Sequence, residues 1–417
     1  MRAQIEGSQA VAEVVVLCRP EVIAAYPISP QTHIVERLSR MVKRGDAGSC
    51  QYLNVESEFA ALSVLIGASA AGARTYTATT SQGLLFMAEA VYNAAGLGLP
   101  IVMTIANRAV GAPINIWNDH SDSMALRDAG WIQLYAETNQ EAADLHIQAF
   151  RLAEELSCPV MVCMDGYILT HAYEPVDVPD QTAVDTFLPA FSPVQVLDPN
   201  APISIGAMVG PEAFTEVKYL AHQQHLRALS LIPEMAGDFE RQFHRLSGGL
   251  YAPYRMEDAE IAVIALGSVI GTIKDAVDEL RLEGIAAGCV KIGCYRPFPS
   301  LQLRAALEGV SRVIVVEKDL AVGVGGIVSA DVRMALQGLA VPVHTVIAGL
   351  GGRSISIASL KRMVIEARAE RLNEPHFLDL HTTVIDAEQS RRREQRRAGP
   401  IAEQVLRAVK AIGAKAT

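Results

Sequence analysis

Two carboxylates stand in the stretch NVESEFAA (54–61), directly before a segment that carries no charge until Arg74. Acidic side chains at the start of a helix complement its positive end, so Glu56 and Glu58 need no further purpose. The helix that follows, however, carries small and apolar residues on every face, which is typical of a helix buried all round. A carboxylate there needs a partner, or its pKa rises and it exchanges protons near neutral pH. Glu58 is thus either a helix-end residue or a candidate acid/base group.

Two more polar side chains follow strand-like segments. In YPISPQT, Pro27 and Pro30 fix the backbone around Ser29, so its hydroxyl is displayed from a rigid loop, although a turn or cap role is the ordinary alternative. In TIANR, Arg108 ends a buried-looking strand. Its planar guanidinium needs an anion, which could be a bound carboxylate or the partner in an internal salt bridge.

Several other patterns are weaker. GVGG (323–326) and GLGG (349–352) lack the full G-x-G-x-x-G fingerprint and are interpreted as tight turns at strand ends. Asp119, His120 and Asp122 share a polar loop without helical metal-ligand spacing, so no metal site is predicted in this chain. The six cysteines contain no Cys-x-x-Cys pair and no four-cysteine ferredoxin spacing. We therefore expect any iron–sulfur cluster to lie on another chain.

Length and composition set broader limits. With 417 residues the chain exceeds one ordinary core, and two or three domains are expected. Half of the residues are hydrophobic and 20% are charged, which suggests surface covered by other chains. The net charge of −10 argues against a nucleic-acid surface. A local basic run is interpreted as a solvated helix face: Arg391, Arg392, Arg393, Arg396 and Arg397. No apolar stretch is long enough to span a membrane, and we expect a cytoplasmic protein.

The elements that must position these residues alternate between strand and helix. Strands are predicted at 22–29, 73–81, 99–106 and 158–166, and helices at 58–72, 83–95 and 139–156. This alternation predicts βαβ units and a parallel sheet, with the chemistry in loops at the carboxyl ends of the strands.

The pattern changes twice along the rest of the chain. Six prolines between 174 and 202 predict an extended arm, because they prevent regular helix or central strand. A helical stretch follows to about 246, and a second α/β unit begins near Asp258. We therefore divide the chain into a first domain (1–245, including the arm), a second domain (256–375) and a helical tail (376–417).

Several motifs occur in a fixed order and together cover nearly the whole chain: YPISP, VESEFAALSVLIGASAAGARTYTATTSQGL, NR…IWNDHSD…RDAGW, CMDGY…TH, RPFP and GLGGR. In this order they resemble the alpha subunit of the pyruvate:ferredoxin oxidoreductase family. The resemblance implies an α/β fold in which a parallel-sheet domain binds the pyrimidine end of thiamine diphosphate. A domain like the C-terminal one of transketolase would follow.

The resemblance also implies roles for individual residues. Glu58 matches the catalytic glutamate that hydrogen-bonds the aminopyrimidine ring, which makes it a general acid/base acting through the cofactor. Arg108 matches the arginine that holds the substrate carboxylate. Ser29 matches a substrate-binding position where pyruvate enzymes usually carry Thr, and the loss of one methyl does not establish a larger substrate. Cofactor contacts are implied for Pro27, Ile28, Ser81 and Gln82.

The second half of a thiamine site is missing from the sequence. It needs a Gly-Asp-Gly motif to hold Mg²⁺ and the diphosphate, and no Gly-Asp-Gly occurs in the chain. The resemblance therefore implies that a beta subunit supplies the metal half. Gamma and ferredoxin-like subunits would carry the iron–sulfur clusters and the acceptor site.

The sequence thus predicts the alpha subunit of a CoA-acylating 2-oxoacid oxidoreductase that is active only with partner subunits. Among relatives it looks most like phenylglyoxylate dehydrogenase, which passes electrons to NAD through a flavin subunit carrying FAD. Pyruvate and branched-chain 2-oxo acids are the alternative substrates. A transketolase- or acetolactate-type enzyme complete in one polypeptide is disfavoured because the metal motif is missing. A scaffold subunit with a decayed site is disfavoured because Ser29, Glu58 and Arg108 are retained together.

Overall fold

The computed structural model describes residues 2–395 and 402–414, which form an α/β protein. Its strands are β1 (Arg2–Glu6), β2 (Val22–Ala25), β3 (Gln51–Asn54), β4 (Thr75–Thr79), β5 (Ile101–Asn107), β6 (Ile132–Tyr135), β7 (Val160–Asp165), β8 (Tyr173–Asp177), β9 (Tyr251–Tyr254), β10 (Ile261–Ala265), β11 (Ala287–Ile292), β12 (Cys294–Arg296), β13 (Arg312–Glu317), β14 (Val343–Ile347) and β15 (His376–Phe377).

The helices connect these strands and cover the sheets. They are α1 (Gly7–Leu17), α2 (Thr32–Arg44), α3 (Glu58–Ala70), α4 (Ser81–Phe86), α5 (Ala88–Gly96), α6 (Ser121–Ala125), α7 (Asn139–Leu156), α8 (Gln181–Phe187), α9 (Phe214–Phe243), α10 (Val269–Leu282), α11 (Ser300–Ala306), α12 (Val328–Ala335), α13 (Ile357–Arg368), α14 (Thr382–Gln395) and α15 (Ala402–Gly413). None of these helices is long and apolar enough to cross a membrane.

The first sheet carries the predicted site. Its strand order is β12-β6-β7-β5-β4-β2-β3, and all neighbours are parallel except the β12–β6 pair. Strands β4, β5 and β7 are buried along their whole length. Strands buried in this way need helices on both faces of the sheet. An apolar cluster built largely on α1 and α7 covers one face, and a second cluster built largely on α3 and α5 covers the other. The predicted parallel sheet is confirmed.

The second sheet has the order β15-β14-β13-β10-β11-β9, with only β9 antiparallel to its neighbour. It is joined to the first sheet in two ways. Strand β12, which follows β11 after one residue, pairs with β6 of the first sheet. The apolar cluster under α3 and α5 also continues into β10, β11 and β13. The two α/β units therefore share packed surface.

Two sequence expectations need correction. The prolines do not exclude helix throughout 174–202, since α8 forms in the window between Pro179 and Pro189. Asp180 caps this helix by accepting a hydrogen bond from the Ala183 N–H at 2.8 Å, which explains why it begins there.

Helix α3 was expected to be buried all round. Within the chain it leaves a stripe of Phe59, Ser63 and Gly67 exposed, one helical turn apart. The exposed Phe59 ring lies 6.3 Å from the ring of Phe86, which is 60% exposed, so an apolar surface remains on this side of the sheet.

The tail predicted at 376–417 begins with strand β15 and continues with helices α14 and α15 within the described residues. In the basic run, Arg391 pairs with Glu388 and Arg393 is exposed on α14, whereas Arg396 and Arg397 lie outside the described residues.

Candidate active site

Glu58 is the first residue of α3, and it is only 7% exposed. The preceding Ser57 caps the helix by accepting a hydrogen bond from the Ala60 N–H at 3.1 Å, so the cap does not depend on the glutamate. Among the residues that the structure describes, none donates a hydrogen bond to the Glu58 carboxylate or forms an ion pair with it. The carboxylate oxygens are therefore available to a hydrogen-bond donor from outside the described residues.

Gly83 of α4 packs directly against this carboxylate. A Cβ added to Gly83 would lie 2.6 Å from Oε1 of Glu58 and 2.8 Å from Oγ1 of Thr79, closer than real Cβ atoms approach. The Thr79 hydroxyl is also buried without a hydrogen-bond partner in the described chain. The Glu58 carboxylate and the Thr79 hydroxyl therefore lie close together, at the start of α3 and the carboxyl end of β4.

Arg108 directly follows β5 and is 6% exposed. Its guanidinium donates to the carbonyl of Ser29 (2.6 Å), the carbonyl of Asn115 (3.1 Å) and Oε1 of Gln82 (3.3 Å). All three acceptors are neutral, and no carboxylate of the described chain pairs with it. The internal salt bridge that the sequence left open is therefore not found. A buried cation held only by neutral groups suits an anionic ligand.

The loop after β2 meets Arg108 through its backbone. Ser29 is exposed and offers its carbonyl to Arg108, while its hydroxyl makes no hydrogen bond within the described residues. Pro27 is exposed and Ile28 half-buried beside it. The fully buried Gln31 holds the loop by donating from Nε2 to the carbonyls of Tyr26 (3.0 Å) and Ala78 (2.8 Å). Sequence reasoning missed Gln31.

Asp122 connects the remaining predicted site residues. It is fully buried and accepts hydrogen bonds from the backbone N–H groups of Ser81 (2.9 Å) and Arg108 (3.0 Å) and from the Asn107 side chain (2.8 Å). Burial raises the pKa of Asp122, and these hydrogen bonds oppose the rise. Ser81 is held in a left-handed conformation with φ of 49°, and its hydroxyl bonds to the side chain of Gln82. Asp122 therefore positions both the 81–82 turn and Arg108.

A second buried carboxylate, Asp165 at the end of β7, has the opposite surroundings. His120 Nε2 lies 2.7 Å from it, Lys318 Nζ donates at 2.9 Å, and Ser268 donates from its backbone N–H at 3.1 Å and from its hydroxyl. Burial alone would raise the pKa of Asp165, but the charges of Lys318 and His120 hold it well below its ordinary value. Because Ser268 and Lys318 come from the second α/β unit, this cluster ties the two units together.

The GLGG turn also packs on the loop after β5. Gly351 donates its N–H to Asp119 at 3.0 Å and accepts from the Asn115 side chain at 3.1 Å. A Cβ on Gly352 would lie 2.4 Å from Cβ of Trp117, so this close approach requires glycine. The turn therefore supports the loop that holds Arg108.

Sequence reasoning did not find the roles of Asp122, Asp165 or the GLGG turn. Asp122 had a signal, since it lies in a polar loop after a strand, but its acceptor role depends on segments up to 41 residues away. Asp165 binds groups more than 100 residues away, and no local pattern reports them.

Comparison with known proteins identifies the family of this chain. Residues 13–236 match the family described as "Pyruvate flavodoxin/ferredoxin oxidoreductase, thiamine diP-bdg", and residues 259–360 match "Pyruvate:ferredoxin oxidoreductase core domain II". The pyruvate synthase subunit PorA of Methanosarcina barkeri is 48% identical over 390 residues, covering 91% of this chain and 97% of its own. PorA of Thermotoga maritima is 43% identical over 371 residues (88% and 94%). The ketoisovalerate oxidoreductase subunit VorA of Pyrococcus horikoshii is 39% identical over 360 residues (86% and 91%).

One solved structure has a similar fold: the 2-oxoglutarate:ferredoxin oxidoreductase from Magnetococcus marinus, with a TM-score of 0.66 at 20% identity. The match covers 88% of this chain and 65% of that one, so the chain spans about two thirds of the length of that protein. At this identity the likeness concerns the fold alone. Taken with the family match over more than half of the chain and the curated relatives, it supports one assignment. The chain belongs to the pyruvate:ferredoxin oxidoreductase family of 2-oxoacid oxidoreductases, as an alpha-type subunit.

Proposed function

We propose that this chain, together with partner subunits, catalyses the oxidative decarboxylation of pyruvate. The carboxylate leaves as CO₂, the acetyl group is transferred to the thiol of coenzyme A, and two electrons pass through iron–sulfur clusters of the partners to ferredoxin. Support comes from relatives named pyruvate synthase subunit PorA that are 43–48% identical over most of the chain. A branched-chain 2-oxo acid is the second candidate, because a VorA subunit is 39% identical.

The relatives do not support the initial preference for phenylglyoxylate and NAD. The two relatives with the highest identities reported above are pyruvate synthase subunits, and the third acts by name on ketoisovalerate. The alternative of pyruvate or a branched-chain oxo acid fits these names better. The proposal therefore takes ferredoxin as the acceptor and includes no flavin subunit.

The observation that carries the proposal is a pair of largely buried charged groups that have no counter-charge among the described residues. Glu58 is a buried carboxylate without a donor, and Arg108 is a buried guanidinium without a carboxylate. Thiamine diphosphate supplies the carbanion chemistry when it is bound, and its aminopyrimidine would give Glu58 the missing partner. The Thr79 hydroxyl, which has no hydrogen-bond partner within the described residues, lies near the same carboxylate and offers a second polar group to the ring.

Each side chain then has a defined task. Glu58 holds and exchanges a proton at a ring nitrogen of the aminopyrimidine. Arg108 binds the carboxylate of the 2-oxo acid, and the exposed Ser29 hydroxyl is available to its oxo group. We place four further residues against the cofactor: Pro27, Ile28, Ser81 and Gln82.

The site needs a partner to be complete. The sequence contains no Gly-Asp-Gly motif, so we assign Mg²⁺ and the diphosphate to a beta subunit. The exposed rings of Phe59 and Phe86, together with Tyr92 on α5 (51% exposed), give that subunit an apolar surface beside Glu58. Clusters and coenzyme A binding are assigned to the remaining subunits.

A substrate panel on the assembled complex tests this proposal. Pyruvate, 2-oxoisovalerate and phenylglyoxylate are compared by kcat/KM with coenzyme A and an artificial viologen acceptor. We expect kcat/KM for pyruvate to exceed that for the other two acids at least about tenfold. This ratio corresponds to about 1.4 kcal/mol of transition-state discrimination. A higher kcat/KM for phenylglyoxylate would restore the rejected preference. Equal turnover by the isolated chain would overturn the split site.

A further inference from the structure

Three potential metal ligands meet near the start of α2, a few residues after the loop that carries Ser29. Glu6 is the last residue of β1, His33 lies in the first turn of α2, and His171 follows β7. One ligand atom from each lies within 4.8 Å of the others. The Nδ1 atom of His33 is 2.6 Å from Oε1 of Glu6, and the two imidazole rings face each other with centroids 4.4 Å apart.

The backbone holds two of these segments together. Strand β1 pairs with β8 so that Glu6 lies opposite Tyr173, and the next residue, Gly7, donates to the carbonyl of Ala172 at 3.0 Å. A Cβ on Gly7 would lie 2.2 Å from the carbonyl oxygen of Leu169, so the approach requires glycine. These backbone contacts fix Glu6 against the segment that carries His171, independently of the side-chain conformations.

The His171 ring is also oriented. Its Nδ1 atom lies 2.8 Å from the hydroxyl of Thr170, and that hydroxyl accepts a hydrogen bond from the Tyr167 N–H at 2.8 Å. A hydrogen bond to one imidazole nitrogen is the usual way in which proteins fix a metal-binding histidine and present its other nitrogen. The arrangement leaves Nε2 of His171 free to bind a ligand.

We propose that Glu6, His33 and His171 form a binding site for a divalent transition metal ion of the zinc class. Two imidazoles and a carboxylate suit Zn²⁺, whereas Mg²⁺ prefers an all-oxygen set, so this site is distinct from the Mg²⁺ assigned to the beta subunit. Zinc–ligand bonds of about 2.0–2.2 Å place ligand atoms about 3.5 Å apart. His33 and Glu6 are hydrogen-bonded to each other at 2.6 Å in this structure, so metal binding would replace that hydrogen bond and requires the exposed His33 side chain to move.

The proposal departs from the sequence prediction of no metal site in this chain. That expectation tested local spacing, whereas the ligands lie 27 and 138 residues apart in sequence. Three protein ligands leave a position open for water or for a group from a partner chain. The ring of His171 also contacts the tilted ring of Tyr167 (centroids 4.7 Å apart), which in turn contacts Trp117 (5.0 Å) in the loop after β5. The metal would thus fix one end of a row of rings that leads toward that loop.

The cysteines should not compete for added Zn²⁺, because all six are buried.

The test uses the full chain after chelator treatment, titrated with ZnCl₂ by calorimetry in the presence of excess MgCl₂. We expect one equivalent of Zn²⁺ to bind with a dissociation constant in the micromolar range or tighter. His33→Ala and Glu6→Gln should each weaken binding about 100-fold or more. His222→Ala, at an exposed position of α9, should bind as the wild type does.

A second readout covers variants that fold poorly. Co²⁺ should give the visible absorption of an imidazole-bound ion in the wild type and in His222→Ala, and that absorption should be lost in His33→Ala. Since His33 is exposed, its replacement leaves the core intact, which circular dichroism checks. The proposal is overturned if the wild type binds no Zn²⁺, or if His33→Ala and Glu6→Gln bind it unchanged. Neither result bears on the reaction proposed above.

Discussion

Two of the buried carboxylates, Asp165 at the end of β7 and Glu58 at the start of α3, differ in what surrounds them. Asp165 is bound by Lys318, His120 and Ser268, so its charge is satisfied within the chain. Glu58 has no such donor among the described residues, although it is buried nearly as well. The difference separates a structural charge from a functional one. Asp165, which is paired within the chain, holds the two α/β units together, whereas Glu58 is available to bind a ligand.

The largest expected effect is on catalysis by Glu58. Glu58→Gln removes the exchangeable carboxyl proton while keeping the shape, so kcat of the assembled complex should fall by about 10²- to 10⁴-fold. Stability should change little, because no contact of the described chain is lost. The matched control is Glu56→Gln, two residues earlier and exposed, which should retain full activity. Equal losses in the two variants would return Glu58 to the role of a helix-end charge.

Asp165 should show the reverse behaviour. Asp165→Asn leaves the ammonium of Lys318 buried without its counter-charge, so the free energy of unfolding should fall by about 3–5 kcal/mol. Urea unfolding measures this loss. If the variant is as stable as the wild type, the cluster does not tie the two units together.

The same carboxylate predicts a pH dependence. Its pKa is depressed in the folded chain, so its stabilisation is fully present above the unfolded pKa of about 4 and is lost as the pH falls through the folded value. The wild type should therefore lose stability below about pH 4 more steeply than Asp165→Asn. Parallel pH profiles for the two proteins would contradict the assignment.

Arg108 tests the anion-binding side of the comparison. Arg108→Ala should lower kcat/KM for the 2-oxo acid by about 10- to 100-fold, chiefly through KM, since a hydrogen bond to a charged group contributes about 1.5–3 kcal/mol. Arg353, exposed near the GLGG turn, provides the control. An unchanged KM in Arg108→Ala would remove this residue from the substrate site.

The smallest effects are expected for alanine substitutions of two glycines, Gly83 on α4 and Gly67 on α3, and the two substitutions should act differently. Gly83→Ala should displace the Glu58 carboxylate and lower kcat, because the added Cβ would lie 2.6 Å from Oε1. Gly67→Ala meets nothing within 4 Å on the exposed side of α3 and should stabilise the chain by up to about 1 kcal/mol. Full activity in Gly83→Ala would mean that the position of the Glu58 carboxylate is not critical.

Features that depend on neighbouring residues could be predicted from the sequence, whereas features that depend on contacts between distant segments could not. Strands β4, β5 and β7 and helix α7 were predictable because apolar runs and the cap residue Thr138 are local signals. Helix α8 was missed because prolines on both sides masked a short window free of them. Glu58 and Arg108 were found by their types and places, whereas Asp122 and Asp165 were not assigned roles because their partners come from distant segments. Strand β12, which crosses into the first sheet, had no local signal.

The central claim is that the missing partner of Glu58 is the cofactor at a subunit interface. A structure of the assembled complex with thiamine diphosphate tests it most directly. We predict a Glu58 oxygen within hydrogen-bonding distance, about 2.7–3.2 Å, of a ring nitrogen of the aminopyrimidine, with the beta subunit covering Phe59 and Phe86. A map in which the Glu58 side chain faces bulk water and the ring lies elsewhere would contradict the account.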